Sequence, residues 1–140
     1  MQNEDVILLN RLLGAAHRTS RMAKRQTDPS KKRPPFALLG MLRQFGPQRI
    51  GDIAHFSQIS QPAATKMVAG LEAEGLVRRA EDPTDGRASV ISVTQAGSDA
   101  IDEWMSEIAA IVVGRYQPLT EADRAALLRT AQILESGLDN

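Results

Sequence analysis

A mainly α-helical fold with a small β component (α+β) is predicted by three features of the 140-residue sequence. Apolar residues recur at three- and four-residue steps in several segments, which is the signature of amphipathic helices. Two short segments rich in β-branched residues flank DPTDGR, whose Pro and Asp-Gly favour a turn, so a two-stranded hairpin is expected there. In chain order the middle reads helix, short break, helix, hairpin, which is the order of a winged helix-turn-helix, here flanked by further helices on both sides.

The first helix is predicted over residues 4 to 26, where Val6, Leu9, Leu12, Leu13, Ala16 and Ala23 form an apolar stripe, and it runs into the linker TDPSKKRPP. Phe36, Leu38, Leu39, Met41, Leu42 and Phe45 make a short, dense helix that should be mostly buried, stopped by Gly46-Pro47. Ile50, Ile53 and Ala54 mark a third, short helix. A fourth, over residues 61 to 74, is marked by Ala64, Met67, Val68 and Leu71. Ser60 is a good N-cap for it, Pro62 is tolerated in its first turn, and Gly75 supplies the left-handed position after it.

LVRRAE and ASVISV are the strands of the hairpin. Thr94 can cap the next helix, whose Ile101, Trp104, Met105, Ile108, Ile111 and Val112 keep a stripe up to Pro118 that is wide for a surface helix. The last helix opens on Thr120 with Asp123 three residues on, a capping-box variant, and carries Leu127, Leu128, Ala131, Leu134 and Leu138.

A length of 140 residues fits a single domain. Within it residues 34–94 are expected to form the winged lobe, and residues 1–30 and 95–140 a helical dimerisation region. A hydrophobic content of 42% with 24% charged residues argues against disorder. The absence of cysteine removes disulfides, thiolate chemistry and thiol redox sensing. His17 and His55 are far apart and lack partners at ligand spacing, so no metal site is expected. Neither a nucleophile with its base, nor paired carboxylates, nor a phosphate-cradling glycine loop is visible, so no enzyme activity, catalytic residue or cofactor is expected. The start of the chain is acidic and no apolar run reaches membrane-spanning length, so the expected location is the cytoplasm, with no membrane partner.

The formal net charge is zero, but it is unevenly spread. Residues 1 to 87 hold 14 Lys and Arg against 9 Asp and Glu, and residues 88 to 140 hold 3 against 8, a balance of +5 and −5. A basic working surface joined to an acidic helical tail fits this division.

In a winged helix-turn-helix the second helix of the pair enters the major groove and the first braces it. On the helix over 61–74, Gln61, Thr65 and Lys66 point away from the apolar face, beside the small Ala63 and Ala69. Gln61 can offer its amide to an adenine edge, Thr65 a hydroxyl and a methyl, and Lys66 a donor to guanine or phosphate. Ser60 and the positive helix end suit a phosphate. Any exposed helix has a polar face, so this pattern alone discriminates little. The hairpin weighs more: at its tip Arg78 and Arg79 precede a loop holding Asp85-Gly86-Arg87, and Asp85 can clamp Arg87 in an extended pose suited to a narrow minor groove. Taken alone, that tripeptide is a turn with a solvated ion pair. From the brace helix, Arg49 and His55 are further candidates for backbone contact. The run Lys31-Lys32-Arg33 reads either as a solvated linker or as an extra phosphate contact.

The stretch SQPAATKMVAGLEAEGLVRRAEDPTDGRASVISVTQAG, residues 60 to 97, resembles the MarR family of bacterial regulators. Leu71 to Val77 match a helix ending in Leu-x-x-x-Gly-Leu-Val, Asp85 to Arg87 an Asp-x-Arg wing, and Thr94 to Gly97 a closing Thr-x-x-Gly. The resemblance implies an obligate homodimer that binds double-stranded DNA sequence-specifically at a pseudo-palindromic operator, read here as a repressor. It would make Ser60, Gln61, Pro62, Ala63, Thr65 and Lys66 the groove-facing set, Arg87 the wing-tip residue and Asp85 its holder. Lys66 stands where arginine is common, and lysine, a point charge, does not read guanine bidentately. Many members are released from DNA by phenolic or otherwise anionic ligands bound where the dimerisation helices meet the winged lobe, which implies a small aromatic or anionic effector.

Dimerisation is also expected on independent grounds. The first, fifth and sixth helices carry broader apolar stripes than a small winged lobe can cover. The alternative class, a winged helix used as a protein-interaction module without sequence-specific DNA binding, fits the basic wing and the small-residue helix less well.

Overall fold

The computed structural model describes residues 2–138 and realises the expected order of helices and hairpin. The elements are α1 (Gln2–Arg25), α2 (Phe36–Phe45), β1 (Gln48–Arg49), α3 (Ile50–Ser57), α4 (Gln61–Ala73), β2 (Val77–Asp82), β3 (Asp85–Val93), α5 (Gln95–Val113) and α6 (Glu121–Ser136). They fall into two compact units: Gln26–Ile108, and a helical unit holding α1 and the chain from Ala109 onward. The division therefore lies within α5 and not at its start.

In the first unit, α2 buries Leu38, Leu39, Met41 and Leu42 against Ile53 and Ala54 of α3, Ala64, Val68 and Leu71 of α4, Val77, Ile91 and Ile101. Burying a large aliphatic side chain is worth about 1.5–3 kcal/mol, so this shared cluster is what fixes α4 on its support. Phe45, expected inside, is 67% exposed. Ala64, Val68 and Leu71 stand at helical spacing on one side of α4, which leaves its other side to solvent.

Both ends of α4 are specified locally. The Ser60 hydroxyl accepts a hydrogen bond from the Ala63 N–H at 3.2 Å, and Pro62 occupies the first turn. At the other end Gly75 has φ +73°, while Leu76 N–H bonds to Leu71 O and Gly75 N–H to Glu72 O. These are the two bonds of a Schellman closure, and they turn the chain straight into β2.

The sheet has three antiparallel strands in the order β1-β3-β2, with Gln48 opposite Ile91 and Val77 opposite Val93. β1 was not expected: two residues are too few to show alternation, and they directly follow the Gly46-Pro47 helix stop. The hairpin turn is also tighter than the sequence indicated. Asp82 pairs with Asp85, so Asp85, Gly86 and Arg87 belong to β3 and the loop reduces to Pro83-Thr84.

The start of α5 is locked to the end of α4. Thr94 Oγ1 donates to Gly75 O at 2.6 Å and accepts from the Gly97 N–H at 3.1 Å. Gly97 is buried, and a Cβ there would lie 2.2 Å from Leu76 O and 2.7 Å from Val93 Cγ2. Only glycine permits that approach.

In the helical unit, α6 begins with a reciprocal capping box between Thr120 and Asp123. It has no buried residue, and Leu127, Leu128, Ile133 and Leu134 are all exposed. On α1, Val6, Ile7, Leu8, Leu9 and Leu13 are likewise exposed, while Ala23 is buried. Among the described residues no helix is long and apolar enough to cross a membrane.

Candidate nucleic-acid interface

The expected groove-facing residues share one accessible surface at the N-terminal end of α4. Ser60, Gln61, Pro62, Ala63, Thr65 and Lys66 are all exposed, as is the small Ala69. Thr65 is more committed than its sequence position implied: its hydroxyl donates to Gln61 O at 3.0 Å, which leaves the methyl group and the oxygen lone pairs for a ligand. The Gln61 amide lies over α3, with Nε2 3.9 Å from where a Cβ on Gly51 would stand. Lys66 enters no ion pair among the described residues, unlike Arg33, Arg43 and Arg49, which pair with Glu107, Asp102 and Asp82.

The wing departs from expectation in how its charges are held. Asp85 does take hold of Arg87, but through the backbone: its Oδ1 accepts from the Arg87 N–H at 3.0 Å, and no side-chain ion pair joins the two. Register shifts between Glu81, opposite Ser89, and Asp82, opposite Asp85. Gly86, Arg87 and Ala88 therefore form a bulge. A bulge bends the strand and re-aims its side chains, and Arg87 lies in it exposed, beside the turn.

The Asp–Arg clamp of the wing is a different pair. Asp82 is buried and accepts from Arg49 Nε at 2.6 Å, from the Thr84 N–H at 2.9 Å and from Thr84 Oγ1 at 2.7 Å. The two bonds from Thr84, with the Arg49 guanidinium behind them, hold the Asp82 carboxyl down at about 2. Arg49, expected on the DNA backbone, thus ties β1 to the hairpin turn, with about half of its side chain still accessible. Sequence reasoning missed Asp82. The signal was the Asp-Pro-Thr spacing, in which a carboxylate reaches the backbone two residues on.

Arg78 and Arg79 are not at the tip. They lie toward the base of β2, opposite Ser92 and Ile91, and adjacent strand residues point to opposite faces of the sheet. One duplex surface cannot be read by both in the same way. His55 is exposed in the last turn of α3, just before the left-handed Gln58 that ends the helix.

Comparison with known proteins matches this geometry to a family. A family model described as MarR family matches residues 31–89, from the linker through the helix-turn-helix to the wing. The chain is 33% identical to the uncharacterized HTH-type transcriptional regulator YxaD of Bacillus subtilis over 50% of its own length and 49% of that protein's. It is 26% identical to the HTH-type transcriptional repressor IacR of Pseudomonas putida over 76% of its length and 64% of that protein's. Residues 31–89 match the MarR family. The matched regions span about half of YxaD and just under two thirds of IacR. The fold is shared along nearly the whole chain: the transcriptional regulator Tm0710 from Thermotoga maritima superposes with a TM-score of 0.65 at 22% identity, covering 99% of this chain and 96% of that one.

Proposed function

We propose that this chain is a sequence-specific regulator of transcription of the MarR family, binding double-stranded DNA as a homodimer and acting as a repressor. The observation that carries the reading is the pairing, on one rigid core, of an exposed, small-residue helix end capped by Ser60 with a bulged wing that exposes Arg87. Small side chains let a helix sit deep in a major groove, and an arginine fixed at a wing tip suits the negative potential of a narrow minor groove. Ser60, Gln61, Pro62, Ala63, Thr65 and Lys66 are the groove set. Arg87 is the wing contact, Asp85 its backbone holder, and Arg49 and His55 flank the backbone.

Homodimerisation is supported by the exposed aliphatic side chains of α1 and α6, which a solitary chain would leave in water. A two-fold pair would place its recognition helices at half-sites about one helical turn apart. Repression is supported by the likeness to IacR, which is a repressor. A small aromatic or anionic effector is supported by the resemblance to the MarR family. It would act only by binding better to a dimer whose recognition helices are misspaced for the groove.

The test is fluorescence anisotropy with a duplex from the region upstream of the chain's own gene and a scrambled duplex of equal composition. Selective, salt-sensitive binding that Arg87→Ala weakens is expected. Equal binding of both duplexes would leave the protein-interaction reading in its place.

A further inference from the structure

The linker between α1 and α2 follows the flank of α4. A cleft of about 520 Å³ has Lys32, Arg33, Pro34 and Pro35 along one wall and Ala63, Lys66, Met67, Gly70, Leu71 and Glu74 of α4 along the other. Ala63 and Lys66 belong to both this wall and the groove-facing set, so the linker borders the recognition surface.

The three basic residues of the linker are not equivalent. Arg33 is fully engaged: it makes a bidentate pair with Glu107 at 3.1 and 3.0 Å, and its guanidinium lies 4.0 Å from the centroid of the Trp104 ring. Trp104 in turn stacks on Phe36, with centroids 5.3 Å apart and planes 7° from parallel. This pin fastens the linker to α5 and α2. Lys31 lies in the field of Asp28 and Glu107. Lys32 is exposed, enters no ion pair among the described residues and shares the cleft with Lys66.

We infer that the linker is a third DNA-contacting element, in which Lys32, together with Lys66, holds a backbone phosphate at the rim of the groove while the Arg33 pin positions it. The inference rests on the proposed DNA-binding function. A helix with its side chains is about 10–12 Å across, and the major groove is about 12 Å wide. Whatever lies flush against the flank of an inserted helix therefore meets one of the two phosphate strands. Two ammonium groups on facing walls, with Glu74 as the one carboxylate lining the cleft, match a single anionic group between them. Arg33 is a positioning residue: by ordering the linker it removes the entropy Lys32 would otherwise lose on binding.

The experiment measures affinity against salt for the intact dimer, with a duplex enriched from a random pool and with a scrambled one. Each phosphate contact contributes about 0.9 to the slope of log affinity against log salt. Lys32→Ala should lower the slope by about that amount on both duplexes, so the defect should be about 3.5-fold larger at about 50 mM than at about 200 mM salt. Arg33→Lys keeps the net charge but not the pin, and should lose part of the same slope. Lys31→Ala should keep the wild-type slope, and melting curves check that each variant is folded. A wild-type slope in Lys32→Ala, with selective binding retained, overturns this inference alone. Equal losses in Lys31→Ala and Lys32→Ala also overturn it, because they indicate diffuse attraction and not a seated contact. If the wild-type protein itself fails to select a duplex, the functional proposal falls first.

Discussion

Gly97→Ala examines how rigidly α5 is fastened to the end of α4. The added methyl carbon would stand 2.2 Å from the Leu76 carbonyl oxygen and 2.7 Å from Val93 Cγ2, where real contacts are essentially never under 3.0 Å. The nearer neighbour is backbone, held in the Schellman closure and bonded to the Thr94 N–H, so it cannot swing away. Relief requires the first turn of α5 to back off by about 1 Å, breaking the Thr94 bonds to Gly75 and Gly97. Overpacking of this kind costs about 1–3 kcal/mol, against a helix-propensity gain of at most about 1 kcal/mol for replacing glycine. The expected net loss is about 1 kcal/mol, which lowers the melting temperature by about 3–4 °C in a chain of this size. Gly40, inside α2, has open space where its Cβ would go, so Gly40→Ala should raise the melting temperature slightly. Circular dichroism melts at one chain concentration compare the two, because melting of the proposed dimer would depend on concentration. If Gly97→Ala melts at or above the wild-type temperature, the claimed contact does not exist in solution.

Other substitutions test other joints of the structure. Ser60→Ala removes the acceptor for the Ala63 N–H and should cost about 1 kcal/mol in thermal stability, seen as a lower melting temperature. The Asp82 carboxyl sits at about 2, below its ordinary 3.8, so what it adds to wing stability is complete above about pH 4 and is lost as pH falls toward 2. An NMR titration of the Thr84 amide should show a midpoint near 2, and a midpoint near 4 would contradict the hydrogen-bonded arrangement. Asp82→Ala should raise amide exchange in the β2–β3 turn and weaken DNA binding while leaving the α2–α4 core protected. Leu128→Glu, on the exposed face of α6, should convert the proposed dimer to monomer in sedimentation velocity, and an unchanged dimer would place the interface elsewhere.

What the sequence made legible was whatever repeats or is punctuated. The stripe Ala64, Val68, Leu71 fixed the inward face of α4, and Ser60, Pro62 and Gly75 fixed its ends, because capping and left-handed backbone depend on single residue types. Pairings between distant residues were hidden. Arg49 and Asp82 are 33 positions apart, and nothing in either neighbourhood announces the other. Arg33 and Glu107 are 74 apart, so a basic run that reads as solvated linker turns out to contain a pinned arginine. The wing was half legible: Asp-Gly announces a turn, but the register shift that places Arg87 in a bulge arises from pairing with β2. Arg78 and Arg79 were grouped by adjacency, although alternation along a strand sends neighbours to opposite faces.

The central claim is that α4 and the wing of each chain grip one duplex as a matched pair. Hydroxyl-radical footprinting on a duplex selected from a random pool addresses it most directly. The account predicts two protected patches on one face of the DNA, about one helical turn apart, each flanked by a minor-groove protection that disappears in Arg87→Ala. A single patch, or protection that ignores sequence and survives loss of Arg87, contradicts it.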